Sequence, residues 1–532
     1  MRMQLFVAFL LLLSCNAVNS YKILIYSNLF GHSHIKFVGS VADTLTDAGH
    51  DVTVVLPVID VAQRNRTAMK STTNQIIVEA DEEVVEMYKH TNDFLSNLWT
   101  MEARNPIMMY LNSDHLVKLF GKQCNKVMQS KELLEKLKYE KFDLAITEPF
   151  DSCAYNIFEY LEIPAHVSIL SCSRMDHVSD VLGQPIAASY VPGTQSVFGD
   201  KMTMSQRFMN LLQFITGRHM FASIGDYESE NAKKILGIER SWRDILPETS
   251  FLLTNHIPVL DFPAPTFDKI IPIGGISVNT NKESLKLEHY FDTMVSMRKK
   301  NVIISFGSNI KSVDMPDEYK KSLVELFGLM SDVTFIWKYE NPADKKHTCG
   351  VLNLNRVEWL PQNELLADSR VDAFITHGGL ASVTELAMMG KPAVVIPIFA
   401  DQTRNAEMLK RHGGAEVLHK TDLGNPKILE KALRKVMEDP SYRRNAQRLA
   451  DMLNNNPTDP KETLVKHVEF AARFGKLPSM DPYGRHQSII EYYFLDVLAV
   501  AVSIISSSLY MTYKILSCFV RLCREGKKVK FE

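Results

Sequence analysis

Runs of apolar residues, alternating with helix-spaced stretches, mark two arrays of strands and helices along the chain. The first opens with "YKILIYSNLFGHSHIKFVGSVADTLTDAGHDVTVVLP" at 21–57. Lys22–Tyr26 predicts a buried strand. Ile35, Phe37, Val38, Val41, Leu45 and Ala48 then share one helical face, Gly49 stops the helix, and Asp51–Leu56 predicts the next strand. Units of this kind build parallel sheets, and ligands collect at the carboxyl ends of their strands. "KFDLAITEPF" (141–150) and "EIPAHVSIL" (162–170) predict later strands of the same sheet.

The pattern restarts at Asn301. "NVIISFGS", "VTFIWKYE", "VDAFITHGG", "KPAVVIPI" and "GGAEVL" predict strands, and "DEYKKSLVELFGLM" a helix among them. Between the arrays, the proline-rich "HIPVLDFPAPTFDKIIPIGG" predicts a connection. The boundaries expected are a first domain at 21–270, a linker at 271–290 and a second domain at 291–470. Residues 195–245 predict a mostly helical, mobile stretch, with Met202, Met204, Met209 and Met220 as core or acceptor-pocket filler. The expected fold class is therefore α/β, with two doubly wound domains facing a central cleft.

One turn stands out chemically. In "FITHGGLASVTE" (374–385), a strand gives way to a helix through His377, Gly378 and Gly379. Glycines let a ligand approach the backbone, and the helix N-terminus presents free N–H groups and positive dipole to an anion. His377 adds a donor, so the turn suits a phosphate. An ordinary tight βα loop would look the same.

The ends differ from the middle. "MRMQLFVAFLLLLSCNAVNS" has a basic start, an apolar centre and a small polar finish, which predicts a secretory leader over 1–20. Residues 494–520 form a stretch long enough to cross a bilayer, bracketed by tyrosines and followed by a basic tail at 521–532. Residues 471–493 would then be juxtamembrane. Basic residues stay cytoplasmic, so the expected topology is single-pass type I with the bulk of the chain lumenal. Asn65-Arg66-Thr67 is a glycosylation sequon that fits a lumenal loop. The 532 residues carry a net charge of -2, with 23% charged and 45% hydrophobic positions, and this balance gives no electrostatic footprint for nucleic acid. Of the seven cysteines, Cys15 goes with the leader, and Cys124, Cys153, Cys172 and Cys349 follow no zinc spacing and show no readable pairing. Cys518 and Cys523 sit where a cytoplasmic membrane face would permit palmitoylation.

The stretch "WLPQNELLADSRVDAFITHGGLASVTELAMMGKPAVVIPIFADQTRNAEML" (359–409) resembles the signature segment of UDP-glycosyltransferases. The whole layout, from leader to basic tail, is similar to the animal UDP-glucuronosyltransferases. The resemblance implies a GT-B fold, with two Rossmann-like domains, plus one C-terminal transmembrane helix. It implies an inverting transfer from a UDP-sugar to a hydroxyl of a small lipophilic acceptor, with no cofactor and no metal. Glucuronic acid is the sugar it favours, in conjugation or detoxification within the endoplasmic reticulum. UDP-glucose as donor, or a catalytically inactive partner subunit, are the alternatives. Acceptor identity and assembly, whether homo- or hetero-oligomeric, stay open.

Carried onto this sequence, the resemblance has Trp359 stack on uracil and Gln362 bond near the base or ribose. Glu385 would accept from ribose hydroxyls. Ser308, His377, the Gly379 backbone and Ser382 would hold the diphosphate, and Asp401 and Gln402 the sugar hydroxyls. Bland alternatives compete: Trp359 as core, Ser308 as a turn residue, Asp401 as a helix cap. Family members often have Asn where this chain has Ala381, which cannot donate to a phosphate. Arg404 is the nearest cation for a sugar carboxylate, although helical spacing favours the outer face for it.

The base is expected in "FGHSHIKF". A histidine near its ordinary pKa suits removal of a hydroxyl proton. In the family this histidine stands sixteen positions before the histidine of a helix-ending Gly-His pair, here Gly49-His50, which selects His34 over His32. A carboxylate that orients the base is expected from Glu148, where relatives commonly have Asp, with Asp151 nearby as the alternative. A solvated loop acid is the plain reading of Glu148.

Overall fold

The computed structural model describes residues 20–101, 113–281, 284–344, 346, 348 and 350–528, with side chains up to residue 524. The leader, apart from Ser20, and Cys349 lie outside the described residues.

Each array folds into one parallel sheet. The first holds β1 (Lys22–Tyr26), β2 (Asp51–Pro57), β3 (Gln75–Val78), β4 (Leu144–Thr147), β5 (His166–Leu170), β6 (Leu252–Thr254) and β7 (Ile270–Pro272). Their order is β3-β2-β1-β4-β5-β6-β7. The second holds β8 (Lys300–Ser305), β9 (Val333–Lys338), β10 (Leu354–Val357), β11 (Val371–Thr376), β12 (Ala393–Val395) and β13 (Ala415–Val417), in the order β10-β9-β8-β11-β12-β13. Strand order reverses between β1 and β4, and between β8 and β11, which opens a crevice at the carboxyl end of each sheet.

Side-chain alternation explains why both sheets are covered on two faces. Ile23, Ile25, Val52 and Val54 enter one core with Ile35, Val38 and Val41, whereas Leu24, Tyr26 and Val55 enter another. In the second sheet, Val302, Ile304, Phe335 and Trp337 face one core, and Ile303, Ile336 and Phe374 the other. Period-two burial on both faces is what β-branched runs in parallel sheets provide.

The helices used below are α1 (His32–Asp47), α2 (Ser113–Gln129), α3 (Cys153–Tyr160), α4 (Met204–Leu236), α5 (Leu380–Met389), α6 (Gln402–Lys410), α7 (Pro460–Phe474) and α8 (Leu495–Lys528). Cys124 on α2 and Cys153 on α3 form a disulfide, whereas Cys172 is free.

Three features depart from the sequence-based expectations. β7 belongs to the first sheet, although residues 271–272 were expected in the linker. α7 returns to the first sheet: Leu464, Val468 and Ala471 share a core with Ile23, although residues up to 470 were expected in the second domain. The stretch 195–245 is mostly the single helix α4, but of its methionines only Met220 is core, and Met204 is 81% exposed.

Residues 482–532 form a separate unit. Within it, Leu495–Arg524 is long and apolar enough to cross a membrane, with mean hydropathy 1.7 and no buried residues.

Candidate functional site

α1 starts just past the carboxyl end of β1, and Gly31, in the left-handed region at φ 73°, makes the turn. That turn brings His34 opposite the end of β4, the neighbouring strand. His34 Nδ1 lies 2.7 Å from Glu148 Oε2. Ser171, just past β5, fixes the acid: its N–H and its hydroxyl donate to Glu148 Oε1 at 2.8 and 2.6 Å. With its proton given to Glu148, Ser171 Oγ accepts from His34 Nδ1 at 2.8 Å. The network therefore assigns the imidazole proton to Nδ1 and leaves Nε2 with its lone pair.

Electrostatics agree with this dyad. Burial pushes the His34 pKa down, but the Glu148 charge and hydrogen bond, with Asp401, raise it above 6.5 overall. Burial raises the Glu148 pKa, and His34 and Ser171 more than reverse that, so it lies below the ordinary carboxylate value and Glu148 is an anion at neutral pH. Glu148 is thus not a solvated loop acid. Asp151 does not take its place: its carboxylate accepts from Asn28 Nδ2, and burial pushes it up to about 7. Phe30, Phe120 and Phe150 wall a small cavity beside His34, and Asn28 and Asp151 line it too.

The opposite wall comes from the second sheet. His377 follows the last residue of β11, and Gly307, past β8, and Gly379 leave room for its ring. A Cβ on either glycine would lie 2.6 or 2.7 Å from His377 Nε2. Burial lowers the His377 pKa to about 4, against a backbone hydrogen bond with Ser305, so this ring is neutral and offers a hydrogen bond rather than a charge. Gly378, at φ 86°, and Gly379, the N-cap of α5, aim the helix N-terminus into the same space. Ser308 lies in the same turn as Gly307 and is half-buried.

Around α5, Gln362 Nε2 donates to Glu385 Oε2 at 2.6 Å and to Ser382 Oγ at 3.1 Å. Trp359 is not core: its side chain is 49% exposed, with His32 edge-on at 5.2 Å. His32 makes no bond to an acid, and burial lowers its pKa.

Past β12, Asp401 makes no cap bond to α6; it accepts from Asn405 Nδ2 at 2.9 Å. It is close enough that its charge raises His34. Gln402 is buried, and its Oε1 accepts from Ile398 N and Phe399 N at 2.9 and 3.1 Å, which leaves its amide N–H groups for a ligand. Arg404 corrects a sequence expectation. It neither faces solvent nor points free into the cleft. It is 3% exposed, pairs with Asp261 at 2.8 Å, and donates to Ser173 Oγ and the Pro192 carbonyl. Helical spacing identified the face but not that the first domain covers it.

Two residues at this site carry no sequence signal. Ser171 is an ordinary strand-end serine, and Lys36, 2.5 Å from Glu385 Oε1, an ordinary helix lysine. Only the adjacency of β4 to β5, and of α1 to α5, gives them meaning. Asn65 is exposed, and its Oδ1 accepts from Arg64. Among the described residues, no three His, Cys, Asp or Glu side chains are grouped to hold a metal ion.

Two parallel-sheet domains with both crevices on one cleft make a GT-B fold. The solved structures similar to it are of that kind. A kitacinnamycin glycotransferase matches at TM-score 0.56 with 16% identity, covering 86% of this chain and 99% of that one. The glycosyltransferase SnogD from Streptomyces nogalater matches at 0.53 with 18% identity, covering 85% and 100%. The chain belongs to the family described as UDP-glucoronosyl and UDP-glucosyl transferase, whose model matches residues 22–530. Among its relatives, human UDP-glucuronosyltransferase 1A8 is 28% identical over 97% of this chain and 95% of its own length. Human UDP-glucuronosyltransferase 1A9 is 27% identical over the same shares.

Proposed function

We propose that the protein transfers a hexosyl group from a UDP-sugar to a hydroxyl of a small lipophilic acceptor, inverting the anomeric carbon. The observation that carries this is the His34–Glu148–Ser171 network, which leaves a basic Nε2 on the acceptor side of the cleft. The acceptor oxygen attacks the anomeric carbon as its proton passes to His34 Nε2. The bond from that carbon to the β-phosphate oxygen breaks, and its electron pair leaves with UDP. Glu148 stabilises the imidazolium. The N-terminus of α5, His377, Ser308 and Ser382 stabilise the charge that grows on the diphosphate. Trp359 stacks on uracil, Glu385 and Gln362 address the ribose, and Asp401 and Gln402 the sugar. Phe30, Phe120 and Phe150 beside His34 offer apolar ring surface to an acceptor. Neither a metal nor another cofactor takes part in these steps. The chain is anchored by α8 with its domains in the lumen of the endoplasmic reticulum, where Asn65 carries a glycan.

Glucuronic acid is the sugar that the relatives' names support. The state of Arg404 favours a second reading, glucosyl transfer. Its guanidinium is already paired with Asp261, and a buried C6 carboxylate without a cation is disfavoured. Competing UDP-glucuronate and UDP-glucose at equal concentration with one phenolic acceptor decides between them. Mostly glucuronide supports the first reading and mostly glucoside the second. No transfer from either donor overturns both.

A further inference from the structure

Two residues beyond His34, Lys36 turns across the cleft to the second domain. Its Nζ lies 2.5 Å from Glu385 Oε1, and Gln362 Nε2 holds the other oxygen at 2.6 Å. The Glu385 side chain is 5% exposed, so its charge is nearly withdrawn from water. A buried carboxylate of this kind requires a partner cation. Here the partner comes from the opposite domain.

The surroundings are electropositive. Burial is the larger cause of the lowered His32 pKa, and Lys36, Arg66 and Lys338 all add to it. Arg66 and Lys338 lie 5.8 and 5.7 Å from the exposed ring of Trp359. Lys338 is already committed to Glu340 and the Gly307 carbonyl. Lys36 and Arg66 are therefore cations that the first domain brings to a nucleotide seat built on the second.

A uridine diphosphate carries an ionised oxygen on each phosphorus, and an unbalanced Glu385 beside it would repel it. A carboxylate has about four lone-pair sites, so two bonds to protein leave room for ribose hydroxyls. Lys36 can stay bound while the ribose donates to the same acid.

We propose that Lys36 is a donor-binding residue contributed by the acceptor-side domain. It holds Glu385 turned toward the ribose and offsets its charge beside the diphosphate, and it makes tight UDP binding depend on a closed cleft. The proposal rests on the reading that the cleft binds a UDP-sugar.

The test uses the full chain in detergent, with calorimetric UDP binding and steady-state kinetics. Lys36→Met should raise the Kd for UDP and the KM for the UDP-sugar about tenfold, with kcat within about threefold of wild type. Lys36→Arg should retain most of the affinity, which shows that charge is what matters. Glu385→Gln should weaken binding too, and the double variant should bind about as well as the weaker single one, because the residues act as a pair. Unchanged affinity in Lys36→Met overturns the proposal, and so do additive effects in the double variant. Tighter binding overturns it as well, since Lys36 would then only be competing for Glu385. A wild-type protein that binds no UDP overturns the transferase reading and this proposal with it; wild-type binding that survives Lys36→Met overturns this proposal alone.

Discussion

Replacing Glu148 by Gln keeps the shape of the site and inverts its proton logic. The Ser171 N–H and hydroxyl both donate to Glu148 Oε1, so the carbonyl of a glutamine must stay on that side. Its NH2 then faces His34 Nδ1, where Glu148 Oε2 sat at 2.7 Å. Two donors cannot share that contact. Nδ1 becomes the acceptor, the proton moves to Nε2, and the base is lost. The stabilisation of the imidazolium is lost as well: opposite unit charges about 4 Å apart at an effective dielectric of about 20 attract by roughly 4 kcal/mol. That corresponds to about 10³ in rate, and the analogous change in serine proteases costs roughly 10⁴ in kcat. Glu148→Gln is therefore expected to lower kcat by about 10³, with UDP affinity unchanged. Glu148→Asp keeps the charge but shortens the reach, and should cost about tenfold. The pH profile adds a signature. His34 must be neutral to accept a proton, and its pKa is raised, so wild-type activity falls as pH drops through a value above 6.5. In Glu148→Gln the residual activity should fall at lower pH, because the anion that raises His34 is gone. Initial rates with a phenolic acceptor, followed by chromatography from pH 5 to 9, measure both effects. Equal, small losses in the two variants, or an unmoved acid limb, would refute the dyad.

Other outcomes follow from the same geometry. Arg404→Ala leaves Asp261 buried without its cation and should destabilise the protein by about 3–5 kcal/mol, read as a lowered thermal midpoint; a wild-type midpoint would mean that the pair is not structural. Asn65→Gln should remove one glycan's mass on a gel, and no shift after expression in a secretory host would exclude that site. In sealed microsomes, external protease should clip only the tail after about Val520; digestion of both sheet domains would contradict the lumenal placement.

Much of the fold was legible because parallel strands buried on both faces advertise themselves. Leu24 and Ile25 on β1 and Phe374 and Ile375 on β11 are apolar on both sides of the pleat. β6 and β7 have three residues each, too few for any periodicity, and β7 is also masked by the surrounding prolines. Likewise, α7 gives a clear helical pattern, but nothing local says which sheet it covers. At the site, the sequence singled out His34 through the spacing to Gly49-His50 that the family resemblance supplies, and His377 through the glycine turn. Asp401 and Trp359 carried rival explanations: Asp401 stands at the N-cap of α6 but its side chain makes no cap bond, and Trp359 is half out of the core. What sequence could not give were the contacts between distant segments. Ser171 clamps an acid 23 residues away, and Lys36 meets an acid 349 residues away. Arg404 was misread for the same reason: periodicity gives the direction of a side chain but not what meets it.

The central claim is that His34 is the base and takes no part in holding the donor. His34→Ala separates the two functions in one protein. Calorimetric titration with UDP and single-turnover transfer to a phenolic acceptor should be run on the same purified preparation. The account predicts UDP affinity within about threefold of wild type and transfer lowered by at least about 10². Transfer above about a tenth of the wild-type rate, with the loss appearing instead in His32→Ala, would contradict it.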